Sequence, residues 1–160
     1  MEPLRAELKI VRAQAFDAPE LTRIALESKR HWGYPEGWIE IWRDDLYIPP
    51  IRVTSSETYC GLINQEIIAF YQLLDKGQTV ELEHLWVLPG FQKQGIGRAL
   101  FTHATQRARD CGYARLAITS DPNAAEFYLK MGAHKVSTLS TTVGNVPREL
   151  PLFVYNLSER

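Results

Sequence analysis

The chain has 160 residues, 45% hydrophobic and 23% charged, with 18 Lys and Arg against 19 Asp and Glu for a formal net charge of −1. That balance excludes a disordered, collagen-like or disulfide-framework chain and predicts one domain over residues 1–160, large enough for a core without staples. It carries no cationic excess for nucleic acid, and no apolar run approaches the ~20 residues of a membrane span.

The N-terminal MEPLRAELKIVRA lacks the apolar stretch of a signal peptide. Glu7 to Ala13 reads as a strand. Asp17 is placed to cap a helix with Pro19 and Glu20 in its first turn, and Leu21, Ile24, Ala25, Ser28 and Trp32 recur at helical spacing up to the stop at Gly33. A second helix fits Pro35 to Leu46, and Pro49-Pro50 ends it. Glu57 to Ile63 and Glu66 to Leu74 form a hairpin about Asn64-Gln65, and Thr79 to Leu88 follows as a third central strand. Ile96, Ala99, Leu100, Ala104, Ala108 and Cys111 make one helical stripe that stops at Gly112. Tyr113 to Thr119 is a strand, Pro122 to Met131 a helix capped by Asp121, and two strands near Ala133 to Ser140 and Leu150 to Leu157 close the chain. The fold class is α/β: a mixed sheet with helices on its faces. Cys60 and Cys111 lie outside any C-x-x-C pair and read as reduced core thiols of a cytoplasmic protein with no metal site.

The segment from Val80 to Arg98 is a strand, a polar glycine-containing turn and a helix start. That geometry aims unpaired N–H groups outward at the positive end of a helix, a site for phosphate. Ile96-Gly97 stands where a Walker motif needs Lys-Ser/Thr, and Leu100 replaces the third glycine of the dinucleotide fingerprint. The pattern Q/R-x-x-G-x-G/A fits Gln92-Lys93-Gln94-Gly95-Ile96-Gly97 in full. Further on, Asn123-Ala124-Ala125-Glu126-Phe127-Tyr128-Leu129-Lys130-Met131-Gly132-Ala133 is similar to N-x-x-A-x-x-F-Y-x-K-x-G-F, with one slot shifted and Ala133 in place of the aromatic.

These two segments, in this order, resemble the GNAT superfamily of acetyl-coenzyme A-dependent N-acetyltransferases. The resemblance implies the acyl-CoA N-acyltransferase fold, with a mostly antiparallel central sheet, two splayed strands and acetyl-CoA as cosubstrate. It implies that Leu85, Trp86 and Val87 pair with the pantetheine arm, and that Gln92, Lys93, Gln94, Gly95, Ile96, Gly97 and Arg98 cradle the pyrophosphate through main-chain N–H groups. Asn123 would bond the arm from the other side and Phe127 would pack on it. Lys93, Arg98 or Lys130 would meet the adenosine 3′-phosphate. Tyr128 would offer a proton or hydrogen bond to the departing sulfur, and the Val87 N–H would steady the oxyanion.

An amine with a pKa of about 10.4 is only ~0.04% neutral at pH 7, a deficit of about 4.6 kcal/mol, so a proton acceptor is expected. Glu81 and Glu83, two apart on one strand, share a face, and Glu83 is favoured as the base because it lies nearer the expected thioester. Val80, Leu82, Trp86 and Leu88 take the opposite, core-facing parity, and His84 falls with them unless a bulge intervenes, as it commonly does in this strand of the family. His31, Trp32, Tyr34, Trp38 and Trp42 form either a packed helical hairpin or a ring-lined acceptor pocket. Arg148, in the loop-like Val146-Pro147-Arg148-Glu149, is a candidate for a substrate carboxylate. The leading expectation is an N-acetyltransferase acting on a primary amine of a small molecule or peptide. A non-catalytic acyl-CoA-binding sensor or partner-binding module is the alternative, a nucleotide-binding protein is disfavoured by the motif mismatches, and the oligomeric state is left open, a homodimer included.

Overall fold

A computed structural model describes residues 7–158. The strands are β1 (Lys9–Arg12), β2 (Glu57–Ile63), β3 (Glu66–Asp75), β4 (Thr79–Val87), β5 (Arg115–Thr119), β6 (His134–Val143) and β7 (Val146–Asn156). The helices are α1 (Ala18–His31), α2 (Glu36–Leu46), α3 (Pro50–Ser55), α4 (Ile96–Asp110) and α5 (Ala125–Lys130). The strands form one sheet in the order β1-β2-β3-β4-β5-β7-β6. Every neighbouring pair is antiparallel except β4 and β5, which are parallel and joined through α4.

Each face of the sheet carries its own core. On one face α4 lays Ile96, Leu100, Phe101, Ala104 and Ala108 against Tyr71, Leu73, Val80, Leu82, Leu116 and Ile118. On the other, Leu21, Ile24 and Ala25 of α1, Ile39 and Leu46 of α2 and Val53 of α3 pack on Cys60 and Phe70. The i, i+3, i+4 spacing predicted for α1 and α4 turns these stripes inward. Among the described residues no helix is long and apolar enough to cross a membrane.

Four local readings differ from the structure. Pro50 opens α3 rather than merely closing α2, because its fixed φ and missing N–H suit a first helical position. The last two strands reach much further than expected and meet at Gly144, so Arg148 is a strand residue paired with Thr141. Pro147 is tolerated there because β5 accompanies β7 only from Leu152 onward, leaving that side of β7 open. Cys60 is buried, but Cys111 is exposed beyond the end of α4 and donates toward Glu57 at 3.5 Å. The Asn64-Gln65 hairpin is as expected, with both residues at positive φ, 51° and 69°.

Two features of β4 place the site. Its pairing with β5 is confined to Thr79, Val80 and Glu81, after which the two strands part. In the ladder with β3, Leu73 faces Leu82 while Gln72 faces His84, so Glu83 is an extra, bulged residue. The bulge reverses the alternation. Val80 and Leu82 lie in the α4-side core, whereas Trp86 packs on the α1 side, which corrects the reading that put all three on one face.

Leu100→Ala removes a fully buried side chain from the α4 interface. Urea denaturation should show a loss of about 2–5 kcal/mol, against less than about 0.5 kcal/mol for Leu139→Ala on exposed β6.

Candidate active site

Where β4 leaves β5, its peptide groups lose a partner strand. The Leu88 N–H donates to the Ile68 carbonyl at 2.9 Å. Antiparallel alternation then also gives the Trp86 peptide to β3 and directs those of Leu85 and Val87 into the gap. Trp86 therefore contributes its ring, 5.5 Å from that of Trp32, rather than the peptide group expected from sequence. The Val87 carbonyl is held by the Ser28 hydroxyl at 3.2 Å and the Gln92 amide at 3.3 Å.

The gap continues into a cavity of about 470 Å³, lined by Leu85, Trp86, Val87, Gln92, Lys93, Gly95, Gly97, Arg98, Asn123, Phe127 and Tyr128 among others. Its floor is the start of α4. Gly95 is left-handed (φ 82°), and the first intrahelical bond is Ala99 N–H to the Gly95 carbonyl, so the N–H groups of Ile96, Gly97 and Arg98 precede the ladder. A Cβ on Gly97 would stand 3.2 Å from the Phe127 ring, so any larger residue would press the ring back by a few tenths of an ångström. Lys93, Arg98 and Lys130 are exposed around the rim. Gln94 is exposed and Ile96 buried, and neither side chain lines the cavity. The Asn123 amide donates to Tyr34 at 3.0 Å and to Asp121 at 3.1 Å, so its NH₂ group is already engaged.

A second cavity, of about 220 Å³, lies on the α1 side and shares Trp32, Leu85, Trp86, Ala124 and Tyr128 with the first. Glu83 and His84 both line it, because the bulge turns the two successive side chains to one face. His84 thus leaves the core-facing parity expected from strict alternation. Burial, reinforced by the Arg52 charge, holds its imidazole down at about 4. Its Nδ1 accepts from the Trp86 indole at 3.0 Å, which places the proton of the neutral ring on Nε2. Burial, and then the charge of Glu81, push the Glu83 carboxyl above the ordinary range. Glu81 itself does not line the cavity. Tyr128 is buried at the junction, and burial raises its phenol. Among the described residues no protein group hydrogen-bonds its hydroxyl.

On the far wall of this second cavity, Lys29 and the pairing of Asp121 with two cations escaped the sequence reading. Asp121 does cap the turn before α5, accepting from Asn123 N–H at 2.8 Å. It also binds Lys29 at 2.7 Å, Arg148 at 3.5 Å and the Tyr34 hydroxyl at 2.9 Å. Burial opposes the charge on Asp121, but Lys29 and these hydrogen bonds outweigh it and hold the carboxyl below its usual range. Burial also draws the Lys29 ammonium down, with Asp121 only partly offsetting it. Lys29 lies 4.2 Å over the Trp42 ring and Arg148 4.9 Å over the same ring. Trp38 stacks on Tyr34 outside the cavity, and His31 is exposed. Among the described residues no cluster of three or more His, Cys, Asp or Glu is arranged to hold a metal ion.

The N–H groups that open α4 thus lie beside a parted strand pair. The chain belongs to the acetyltransferase (GNAT) family, whose sequence profile matches residues 18–133. Among solved structures it is similar to a PaiA N-acetyltransferase from Thermoplasma acidophilum in complex with coenzyme A (19% identity, 94% of this chain and 99% of that one, TM-score 0.78). It is similar also to the ribosomal-protein-S18-alanine N-acetyltransferase from Escherichia coli (17%, 96% and 96%, 0.73). YncA from Salmonella typhimurium with its cofactor acetyl-CoA is a third (18%, 97% and 96%, 0.72). No curated protein sequence matches the chain. The mixed α/β fold expected from sequence is therefore that of this family.

Folded His84 is neutral with a depressed value, while the unfolded imidazole titrates near 6.5, so the unfolded chain binds more protons between those values. Stability should accordingly fall by up to about 3 kcal/mol as pH drops from about 6.5 to about 4. Denaturant titrations of wild type and His84→Gln across that window check this: the slope with pH should be shallower in the variant.

Proposed function

We propose that the protein transfers the acetyl group of acetyl-CoA directly to a primary amine. The observation that carries this is the junction of the two cavities: one suits a phosphorylated, arm-shaped donor, the other holds a basic carboxylate, and they share Leu85, Trp86 and Tyr128. In this reading the N–H groups of Ile96, Gly97 and Arg98 receive the pyrophosphate, with Gly95 shaping the turn. Leu85 and Val87 offer their peptide groups to the arm, Phe127 packs on it, and Lys93, Arg98 and Lys130 supply positive charge at the adenosine end.

The acceptor arrives as an ammonium and must lose two protons. The first passes to Glu83 before attack and on to water. Burial makes ionised Glu83 a stronger base than an ordinary carboxylate. The nitrogen–carbon bond then forms while the carbon–sulfur bond breaks. The Val87 N–H faces the gap, where it meets the charge that builds on the carbonyl oxygen. The second proton leaves nitrogen as the amide forms and balances the one taken up by the departing thiolate. Tyr128, kept protonated by burial, stands where that sulfur leaves and hydrogen-bonds to it.

The primary experiment is a titration with acetyl-CoA and free CoA, followed by CoA release against an amine panel. Binding of both with release for some amine is the expected result, and failure to bind either overturns the reading. Gly97→Asp places a carboxylate among the pyrophosphate donors and should weaken CoA binding by at least about tenfold in calorimetry. Unchanged affinity would remove the cradle. Glu83→Gln should lower kcat by about 10²–10⁴-fold. In wild type, kcat/KM rises with pH through an acid limb above the ordinary carboxylate range. That limb should vanish in the variant, leaving only the amine's own ionisation.

A further inference from the structure

The acetyl-transfer reading leaves the acceptor unnamed, and the far wall of the second cavity bears on it. Arg148 reaches Tyr34 at 2.8 Å and Asp121 at 3.5 Å through one nitrogen, Nη2. Among the described residues neither Nε nor Nη1 has a protein acceptor. The Arg148 side chain is only 11% exposed, yet the fully enclosed side-chain polar atom left without a partner among those residues is Gln72 Oε1. The spare Arg148 donors therefore border open space, and Arg148 lines the second cavity. Arg148 lies 5.1 Å from the Tyr34 ring and 4.9 Å from the Trp42 ring, and Asp121 pairs with its Nη2.

The charges around the cavity are unevenly placed. Lys29 and Arg148 meet one buried anion, Asp121, on the far wall. Glu83 stands on the strand wall, and Asp45 is an exposed residue at the rim. The far wall thus has one positive charge more than its own partners neutralise, with two separate guanidinium donors, Nε and Nη1, left free. Between the two walls lie Trp32, Trp42, Trp86, Leu82, Leu85 and Leu150. A space of about 220 Å³ suits a ligand of amino-acid size rather than a long peptide.

Resting on the acetyl-transfer reading, we propose that the acceptor is a free amino acid with an apolar side chain: its carboxylate pairs with Arg148, its side chain lies among the indole rings, and its amine faces Glu83. Both two-pronged edges of the guanidinium include Nη2, which Tyr34 and Asp121 occupy, so the carboxylate takes a single charge-assisted hydrogen bond from Nε or Nη1. The ammonium is drawn to the opposite wall by Glu83. A simple amine fills only half of this arrangement and leaves Arg148 Nε and Nη1 unpaired.

The test separates binding from turnover. Affinities of L-leucine and L-phenylalanine are compared by calorimetry with those of 3-methylbutylamine and 2-phenylethylamine, which lack only the carboxylate, on protein saturated with free CoA. The amino acids should bind at least about tenfold tighter, and the preference should collapse in Arg148→Gln and weaken in Arg148→Lys, the latter keeping the charge but not the positions of Nε and Nη1. Circular dichroism and CoA affinity establish that each variant is folded. In turnover, the ratio of kcat/KM for each amino acid to that for its matched amine should fall by the same factor. Equal or weaker binding of the amino acids, or a preference that survives in both folded variants, overturns the proposal. Binding preference intact but no CoA release with any amine or amino acid would sustain the carboxylate site while ending the transfer reading.

Discussion

The parting of β4 from β5 after Glu81 is the constraint on which the rest depends. Inside a sheet, a strand without its neighbour leaves a row of peptide groups unpaired, which is costly unless water or a ligand satisfies them. The protein keeps this opening because both strands are anchored elsewhere. β4 runs along β3 over its whole length, and β5 along β7. α4 bridges the parted pair and packs against β3 and β4 below the gap. Its first turn is thereby delivered to the mouth of the opening, where unpaired helix N–H groups and unpaired strand peptides face one cavity.

The second constraint is the single extra residue at Glu83. In an even strand Glu83 and His84 point to opposite faces. The bulge turns both toward α1 and α2 and moves Trp86 across the sheet to meet Trp32. A carboxylate raised by burial and a neutral imidazole then lie in one cavity. The polar groups that would make this region costly are paired: Trp86 with His84, Ser28 with Val87, and Lys29 and Arg148 with Asp121. Asp121 links α1, β7 and the turn before α5, so the element that carries Tyr128 is tied to the wall opposite it.

The parts of the sequence that proved legible are those where chemistry is local. Gly95 and Gly97 suit a left-handed turn and the close approach of Phe127. The stripes of α1 and α4 follow helical periodicity, and both central hairpin strands follow alternation. Motif order carried the fold family. Arg148 read as a loop residue beside Pro147 and a candidate for a substrate carboxylate. Its strand exists only because β6 supplies the ladder. Cys111 matched the α4 stripe but lies past the helix end, where packing no longer draws it inward.

By itself, then, the sequence determined most of the elements, the glycine turn before α4 and the family, because each is encoded in residues a few positions apart. Tertiary structure decided which groups share a space. The bulge that joins Glu83 to His84 is a mismatch between two strands, visible only when β3 is laid beside β4. The cluster of Lys29, Tyr34, Asp121 and Arg148 draws on positions up to 119 apart in sequence, brought together because one aspartate within the fold satisfies two cations and a phenol at once. No spacing rule spans such a distance, and the shape of the second cavity is set there.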